Sequence, residues 1–502
     1  MYPIKKTKPT KETLNEYLET INKVIEKGPF TDTWEGLSSF KVPSWFENAK
    51  FGIFIHWGLF SVPAFSNEWY SRNMYQKDSL EYKHHKETYG NHQDFGYKDF
   101  IPMFTAENFD ANKWIDLFKK SGAKYIVPVA EHHDGFQLYN SNFSHFNAFE
   151  MGPHRDIIAE LKSASEREGL IFATSTHRAE HHWFMGLGKE FESDITEKEE
   201  WGDFYWPAEK TQPDSQDLHA TPFPSKLFLE DWLCRTCEII DKYRPKMLYF
   251  DWWIQHEAYK PYLRKIAAYY YNRAEEWGID VGISYKHDAF AFGTGIVDVE
   301  RGKFSTAKSY PWQTDTAIAR NSWCYTTSLE YKSSKEIIAY LCDVVSKNGS
   351  LLLNVGPKGD GSFAKEDLDI LKDIGNWLSV NGSAIYNTKC WRYSQEGPTQ
   401  EQEGQFTDGS ATLYTSEDFR FTAGKGKINA ICLSYPENGE ITIKSLGLSS
   451  NPYLPAFHGI IKKVSVLGYD EKIAFTVDSE GLHFITKTVK SEFPVVIQVE
   501  TE

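Results

Sequence analysis

The feature of this sequence that most constrains its fold is an alternation of short apolar runs and longer amphipathic runs between residues 51 and 380. Short apolar runs bounded by turn residues are typical of buried strands, and apolar side chains every three or four residues are typical of helices. Short links between the two predict a parallel sheet covered by helices. The predicted strands are residues 51–57, 125–130, 170–174, 246–250, 281–285, 296–300 and 350–355.

The predicted sheet is expected to close into a barrel. At this length, and with no glycine-rich dinucleotide motif after the first strand, a (β/α)8-like TIM barrel fits better than an open doubly wound sheet. Pro128 stands inside the second predicted strand and predicts a bulge there. The main predicted helices are residues 111–120, 226–243, 262–277, 334–347 and 365–380, and a further helix begins at residue 156.

The sequence predicts three parts that differ in their patterns of apolar and polar residues. Residues 1–42 are expected to form an N-terminal helical extension, with a polar helix near residues 10–28, and residues 43–385 the α/β barrel. From residue 386 to 502 apolar and polar residues alternate between turns, which predicts a small C-terminal antiparallel β-sandwich.

Charged and aromatic residues cluster where the predicted strands end. Asp251, followed by Trp252 and Trp253, closes the fourth predicted strand. In a barrel, catalytic groups lie at the carboxyl ends of the strands, so these side chains are expected to meet. The other ends supply His56 with Glu68 and Trp69 close behind, His132 with His133, and His177.

Two chemistries fit this set of side chains. Histidines and Asp251 could bind a divalent metal for hydrolysis, with His132, His177 and Asp251 as ligands. However, His132 and His133 are adjacent, so on an extended backbone only one of them reaches a given metal. The many indoles and the fixed donors and acceptors suit a sugar better. The sequence therefore favours a glycosidase over a metal-dependent hydrolase.

A glycosidase needs a second carboxyl group beside Asp251, acting first as acid and then as base in a retaining enzyme. Glu300 is the strongest candidate because it closes a later predicted strand. Arg301 is expected to pair with Glu300 or with its neighbour Asp298. Three other glutamates remain rivals, namely Glu68, Glu131 and Glu257.

Composition narrows the partners and the location. The net charge of −15 argues against a nucleic-acid partner, since neutralising phosphates needs a basic surface. No uninterrupted apolar run is long enough to span a membrane. The first residues show no apolar signal region, so the chain is expected in the cytoplasm, or in a secreted or periplasmic location if a leader has been removed. Cys234 and Cys237 are predicted to be buried helix cysteines.

Several motifs resemble those of the α-L-fucosidases, a family of glycoside hydrolases. They appear in the family's order across residues 43–390 and include Phe-Gly-Ile-Phe-Ile-His-Trp-Gly ending at Gly58, Glu-Trp-Tyr at Glu68, Glu-His-His-Asp-Gly-Phe at Glu131, and Asn-Gly-Ser-Leu-Leu-Leu-Asn-Val-Gly-Pro ending at Pro357. The resemblance implies a retaining exo-α-L-fucosidase in which Asp251 forms a covalent fucosyl-enzyme. It implies sugar contacts from His56, Glu68, Trp69, His132, His133 and Trp323, no metal or organic cofactor, and a fucosylated oligosaccharide or glycoconjugate as partner.

The chain departs from the family's pattern at four positions. His177 stands where many members have a tyrosine, Tyr249 where a tryptophan is frequent, and Lys286 where an arginine is frequent. All three side chains are nevertheless expected to contact the substrate. The acid/base glutamate of the family usually follows the dipeptide Thr-Pro, whereas Glu300 follows Asp298-Val299. These changes concern substrate and linkage more than reaction class, although a catalytically silent fucoside-binding protein stays an alternative. The sequence does not indicate an oligomeric state.

Overall fold

Parallel strands form a closed barrel that holds the site at one end. The computed structural model describes residues 9–210 and 217–502. Its first strands are β1 (Phe51–Ile55), β2 (Tyr125–Glu131), β3 (Ile171–Phe172), β4 (Thr174–Thr176), β5 (Met247–Phe250), β6 (Gly282–Tyr285), β7 (Ile296–Glu300), β8 (Trp312–Ala317) and β9 (Gly349–Val355). The ring closes where β1 pairs with both β9 and β2. β3 and β4 both lie beside β2 and fill one position, so the predicted eight-position TIM barrel is confirmed.

Helices surround the barrel. The helices that the sequence predicts begin and end within a few residues of the predicted bounds. In the described part of the chain they are α1 (Lys11–Lys27), α2 (Trp34–Leu37), α3 (Ser44–Ala49), α4 (Tyr70–Asn73), α5 (Leu80–Thr88), α6 (Ala111–Lys120), α7 (Ile157–Glu168), α8 (His181–Phe184), α9 (Lys226–Tyr243), α10 (Lys260–Trp277), α11 (Ser334–Ser346) and α12 (Lys365–Asn381). The N-terminal helix α1 packs on α9 and α10 and buries Leu14, Ile21, Val24 and Ile25. Among the residues described, no helix is both long and apolar enough to cross a bilayer.

Two local expectations are confirmed. The pairing of β2 with β4 shifts between Val129 and Glu131, next to Pro128, which is the predicted bulge. Cys234 and Cys237 are buried, unpaired thiols in α9. Residues 1–8, on which the expectation about a leader rests, and residues 211–216 lie outside the described residues.

The strand β8 escaped the sequence prediction because it is polar. Its residues read Trp-Gln-Thr-Asp-Thr-Ala, and all six are buried. Gln313 accepts a hydrogen bond from the hydroxyl of Tyr125 at 3.1 Å and donates to Asp298 at 2.7 Å and Ser284 at 3.2 Å. A polar side chain is tolerated in a barrel interior when its partners are there too. β8 also brings Asp315 to the site.

The C-terminal part is built from antiparallel strands, and the predicted β-sandwich is confirmed. β10 (Lys389–Glu396), β11 (Phe419–Gly424), β12 (Lys427–Cys432), β14 (Ile461–Val466) and β17 (Val495–Thr501) form one sheet. β13 (Glu440–Ile443), β15 (Phe475–Val477) and β16 (Leu482–Ile485) form a second sheet. Apolar side chains of both sheets, including Phe421 and Leu482, share one hydrophobic core.

Candidate active site

A pocket of about 320 Å³ lies at the carboxyl ends of the barrel strands. Catalytic groups of such barrels lie at this end. The structure brings the whole set of sequence-predicted site residues together around this pocket. Its lining includes His56, Glu68, Trp69, His132, His133, His177, Tyr249, Asp251, Lys286, Glu300 and Trp323.

Asp251 follows directly after β5, and three groups hold its carboxylate. Oδ2 lies 2.9 Å from Nδ1 of His177 and 3.3 Å from Nε2 of His133, and Oδ1 accepts from Nζ of Lys286 at 3.0 Å. Burial alone would raise the pKa of this carboxyl group, but the charge of Lys286 and the hydrogen bonds from His133 and His177 hold it well below its usual range. Asp251 is therefore ionised, the state that a nucleophile needs.

Lys286, just after β6, links Asp251 to Glu300. Its Nζ donates to Oε2 of Glu300 at 2.7 Å and to Oδ1 of Asp251 at 3.0 Å, and it lies 3.5 Å from Oδ2 of Asp315. Burial lowers the pKa of this ammonium, yet the surrounding carboxylates raise it well above its ordinary value. Because both hydrogen bonds start from the same Nζ, the distance between the bound oxygens of Asp251 and Glu300 cannot exceed the sum of the two hydrogen-bond lengths, 3.0 and 2.7 Å. This upper limit lies below the separation of about 6.5–9.5 Å in inverting pairs and is compatible with a retaining pair, whose carboxyl groups lie about 5–5.5 Å apart.

Glu300, the last residue of β7, is in the opposite state to Asp251. Burial is the main cause that raises its pKa to about 7, and the charges of Asp315 and Asp251 raise it further although Lys286 lowers it. The indole Nε1 of Trp252 donates to the same oxygen, Oε2, that Lys286 binds. A carboxyl group that keeps its proton near neutral pH can act as a general acid.

The floor of the pocket is fixed by Tyr249 and Asp315. Tyr249 is completely buried, and its hydroxyl donates to Oδ2 of Asp315 at 2.8 Å. Its ring lies 4.9 Å from the ring of Phe54 and 5.3 Å from Nζ of Lys286. Tyr249 is therefore placed to support Lys286, and a direct contact between Tyr249 and the sugar stays a prediction.

The imidazoles on either side of Asp251 have different charges. Burial lowers the pKa of His177, so its ring is neutral. Since Asp251 can only accept, Nδ1 of His177 carries the proton and Nε2 accepts from the hydroxyl of Ser175 at 2.9 Å. Burial also opposes the charge of His133, but Glu180 and Asp251 raise its pKa to about 9, so it is a cation.

His56, Glu68 and Trp323 form the opposite wall, and Asn354 of β9 joins two of them. Its Oδ1 accepts from Nδ1 of His56 at 2.7 Å, while its Nδ2 donates to the carbonyl oxygen of Trp323 at 2.5 Å. Nε2 of His56 is thereby left to the pocket. Glu68 accepts from the backbone N–H of Trp323 at 2.9 Å. Trp69 lies beside His133, with 6.0 Å between the ring centroids.

Sequence reasoning missed several residues that line or build the pocket. Asp315 lies on the unpredicted strand β8, and Asn354 lies within a quoted motif but had no role assigned. Glu180 and Trp183 follow β4, and Phe54 lines the pocket from an apolar strand. Phe406 comes from beyond residue 386, where no strand-end pattern leads to the barrel.

Three expectations about neighbouring residues change. Arg301 pairs with neither Asp298 nor Glu300, because its guanidinium donates to the carbonyl oxygens of Ala319, Arg320 and Ser322 and lies 4.5 Å over the ring of Trp323. Two rivals of Glu300 lie outside the pocket lining. Glu131 is buried against Arg178 and Arg235, and Glu257 is half-exposed beside His219.

Two trios of side chains have the spacing of metal ligands. In His56, His132 and His177, and in His133, His177 and Asp251, one ligand atom from each residue lies within 4.8 Å of the others. Each trio takes only one of the adjacent pair His132 and His133, as expected. Burial lowers the pKa of His56 and of His132 well below the ordinary value, so both imidazoles are neutral and can serve as ligands or as sugar-binding groups.

Comparisons with known proteins identify one family. The family model described as "Alpha-L-fucosidase" matches residues 18–383. Human plasma α-L-fucosidase is 32% identical over 430 residues, which cover 82% of this chain and 80% of that protein. Mouse tissue α-L-fucosidase is 28% identical over 477 residues, 94% of this chain and 93% of that protein. The crystal structure of the Thermotoga maritima α-fucosidase in complex with fucose superposes with a TM-score of 0.72 at 29% identity, covering 94% of this chain and 100% of that one.

Proposed function

The chain belongs to the α-L-fucosidase family, and from that membership and the geometry of the pocket we propose that it is a retaining exo-α-L-fucosidase. Its substrate is a terminal α-L-fucoside of an oligosaccharide or glycoconjugate, since the Thermotoga maritima relative is described in complex with fucose. The pocket supports an exo mode because it ends at the barrel floor.

The observation that carries the proposal is the pair of carboxyl groups on one ammonium. Asp251 is ionised and Glu300 keeps a proton up to about pH 7, although both bind Nζ of Lys286. Pairs of acids whose surroundings push their pKa values apart are the pattern by which nucleophile and acid are assigned in glycosidases.

In the first step, Asp251 attacks the anomeric carbon of fucose and forms an ester. The bond between that carbon and the glycosidic oxygen breaks, and Glu300 gives its proton to the leaving oxygen. His177, His133 and Lys286 hold the attacking carboxylate in place through the contacts described above. Because these donors fix the carboxylate before the substrate arrives, little reorientation remains for the reaction.

In the second step, Glu300 accepts a proton from water, and the resulting attack on the ester returns free Asp251 and fucose with its original configuration. Formation of the ester removes the charge of Asp251, and that charge is one cause of the high pKa of Glu300. The pKa of Glu300 is therefore lower in the intermediate than in the free enzyme. The same glutamate thus changes from acid to base within one cycle.

The remaining predicted residues are proposed as fucose contacts. His56, His132, His133 and His177 line the pocket from neighbouring strand ends and offer fixed donors and acceptors to sugar hydroxyls. Glu68 and Trp69 complete this polar wall. We propose that Trp323, partly exposed in the lining, lies against the methyl group of fucose.

The test replaces each carboxyl group and follows the product formed with azide. Asp251→Ala should lower the turnover of an aryl α-L-fucoside by several orders of magnitude, and added azide should give the β-azide because no ester forms. Glu300→Ala should give the α-azide, because azide then attacks the ester. Glu257→Ala is the matched control and should keep normal activity, since Glu257 lies outside the pocket lining.

Near-native turnover of Asp251→Ala, or no azide product from folded Glu300→Ala, would contradict these roles. A wild-type protein that binds fucosides without turning over any member of a fucoside panel would instead be a silent binding protein.

Metal-dependent hydrolysis is the second candidate, because the two histidine trios have the spacing of metal ligands. It predicts that a chelator abolishes activity and that added Zn²⁺ restores it. The proposed carboxyl mechanism predicts activity that a chelator does not change, with elemental analysis of the purified protein as the accompanying measurement.

A further inference from the structure

The pocket has an aromatic rim formed by Trp252 from the barrel and Phe406 from the C-terminal part. Among the described residues that line the pocket, Phe406 alone comes from beyond residue 386. Its side chain is 53% exposed, whereas most large aromatic residues of this chain are buried. The two rings are in contact, with 5.7 Å between their centroids. An aromatic ring that is exposed at the mouth of a catalytic pocket can pack on a ligand that enters the pocket.

The backbone holds Phe406 firmly in this position. The N–H of Phe406 donates to the carbonyl oxygen of Glu300 at 3.0 Å, and that of Thr407 donates to Arg301 at 2.8 Å. Lys303 and Gly404 exchange two backbone hydrogen bonds of 3.2 and 3.0 Å. The segment 404–407 is thus paired with the end of β7, which carries the acid Glu300. Phe406 also has a φ of 54°, a left-handed conformation that a bulky residue adopts only when its surroundings enforce it.

The rim lies on the side of the pocket from which the leaving group departs. The indole of Trp252 donates to Glu300, and Glu300 protonates the leaving oxygen in the proposed mechanism. Whatever is attached to that oxygen must therefore pass Trp252 and its neighbour Phe406. On its other side Trp252 is held by the ring of His287, with 4.9 Å between the centroids.

The charge of the lining indicates which leaving groups fit. Lys286 is the only lysine or arginine among the described lining residues, and three carboxylates already surround it. Glu68 and Glu180 add to the acidic character of the pocket. The cationic ring of His133 is also paired already, with Glu180 and Asp251. A sulfated or sialylated sugar would therefore find the cations of the described lining residues already paired with carboxylates, whereas the apolar face of a neutral pyranose can pack on an aromatic ring.

We propose that Trp252 and Phe406 form the acceptor subsite of this enzyme and that the subsite binds a neutral pyranose, a hexose or N-acetylhexosamine linked to fucose. The subsite rests on the proposed fucosidase function. It makes Phe406 a residue that selects the leaving group while fucose itself is recognised by the barrel.

The experiment compares a methyl fucoside with fucosyl disaccharides, all of which need protonation of the leaving oxygen by Glu300. Methyl α-L-fucoside has no ring in the subsite, whereas neutral fucosyl-galactose and fucosyl-N-acetylglucosamine disaccharides have one. Phe406→Ala should lower kcat/KM for the preferred disaccharide about tenfold relative to methyl fucoside, mainly through KM. Phe406→Trp should keep the wild-type ratio. Phe292→Ala is the control, since Phe292 is 68% exposed and lies outside the pocket lining.

Three results would overturn the subsite. An equal loss on methyl fucoside and disaccharide would mean that Phe406 only supports Glu300, and an unchanged ratio would mean that the ring binds nothing. Equal use of a disaccharide and its sulfated analogue would contradict the neutral class. If Phe406→Ala does not fold, Phe406→Leu gives the same test, because it keeps apolar volume and removes the ring. Failure of the wild-type protein to cleave either fucoside would instead contradict the proposed function.

Discussion

Lys286 sets the protonation of both proposed catalytic groups, because its ammonium contacts Asp251 and Glu300 at once. Its charge lowers the pKa of each carboxyl group. A substitution of Lys286 therefore changes the pKa of both Asp251 and Glu300. Activity requires Asp251 ionised and Glu300 protonated, so kcat/KM should show a bell-shaped dependence on pH whose alkaline limb lies near pH 7.

Replacing Lys286 by methionine should move both limbs of that bell to higher pH. Without the ammonium, the pKa of Asp251 rises towards its ordinary value and the pKa of Glu300 rises further above about 7. A displacement on the order of one pH unit or more in each limb is expected, because a buried ion pair shifts a pKa by this much. The measurement is kcat/KM for an aryl fucoside across pH. An alkaline limb that moves to lower pH would contradict the assignment of Glu300.

Asn354 is expected to position two sugar-binding residues without touching the reacting atoms. Asn354→Ala removes the acceptor from Nδ1 of His56 and the donor to Trp323, so His56 can take the other tautomer. We expect KM to rise about 10-fold or more, the usual size for losing an orienting partner, with a smaller change in kcat. Asn354→Asp keeps the acceptor and should recover part of the affinity. Equal KM values in the alanine and aspartate variants would argue against this orienting role.

The predictable residues share a property that the missed ones lack. Asp251 and His56 stand immediately after apolar runs, where a polar side chain is conspicuous. Asn354 and Asp315 stand inside strands, so nothing in the linear pattern separates a site residue from an interior one. Phe406 reaches the pocket through backbone pairing with β7 from more than 100 residues further along the chain, and local patterns carry no information on such a contact.

At the scale of elements, the end of β7 and the segment 404–407 approach so closely that a side chain cannot fit between them. A Cβ atom on Gly302 would lie 1.8 Å from the carbonyl oxygen of Gly404. The glycine at 302 is therefore required by the close approach of two backbones.

Gly302→Ala should separate the two segments and move Phe406 away from Trp252. We expect a lower Tm and a reduced preference for disaccharide over methyl fucoside, because the backbone bonds that hold Phe406 are disturbed. Differential scanning calorimetry and the substrate ratio are the two measurements. Gly409→Ala is the matched control, since nothing lies within 4 Å of the added carbon. Unchanged values for Gly302→Ala would show that the segment can shift at no cost.

The barrel strands were predictable where both faces are apolar, and β8 shows the limit of that rule. A strand whose partners are other polar side chains of the barrel interior has no hydrophobic signature. Gln313 is satisfied only by Tyr125, Ser284 and Asp298, which come from three other strands. Recognising β8 in the sequence would have required the fold to be known first.

At the scale of the whole molecule, a buried ion cluster joins the barrel to the sandwich. Asp343 of α11 contacts Lys347 at 2.8 Å, Lys303 at 3.2 Å and the guanidinium of Arg420 on β11. Glu401 contacts Lys347 at 3.2 Å and Lys303 at 2.9 Å. Burial would raise the pKa of Asp343, but the three cations hold it well below its usual range.

Asp343→Asn should destabilise the protein by about 3–5 kcal/mol at neutral pH, because it leaves buried cations without their carboxylate. The folded pKa of Asp343 lies below the unfolded value, so its contribution is present above about pH 4 and is lost as the pH falls through the folded pKa. The difference in Tm between wild type and variant should therefore shrink in acid. Asp369→Asn, which removes a surface pair, should change stability by less than about 0.5 kcal/mol. A difference in Tm that grows in acid would contradict the ionised state of Asp343.

The division of the chain at residues 42 and 385 stays a prediction. The hydrogen bonds of segment 404–407 and the cluster around Asp343 both cross the second boundary. We therefore expect the sandwich and the barrel to unfold together. Calorimetry should show a single transition for the whole chain, and two separate transitions would support independent domains.

The position of Phe406 has a consequence for how enzymes of this shape diversify. In the proposed enzyme, fucose contacts residues from barrel strand ends, whereas the rim facing the leaving sugar is partly supplied by a segment outside the barrel. Phe406 pairs with Glu300 through its backbone, so a changed side chain at position 406 can alter which leaving sugar is accepted while the reaction stays the same. For the engineer, the same arrangement makes position 406 the natural one to randomise when a new linkage is wanted.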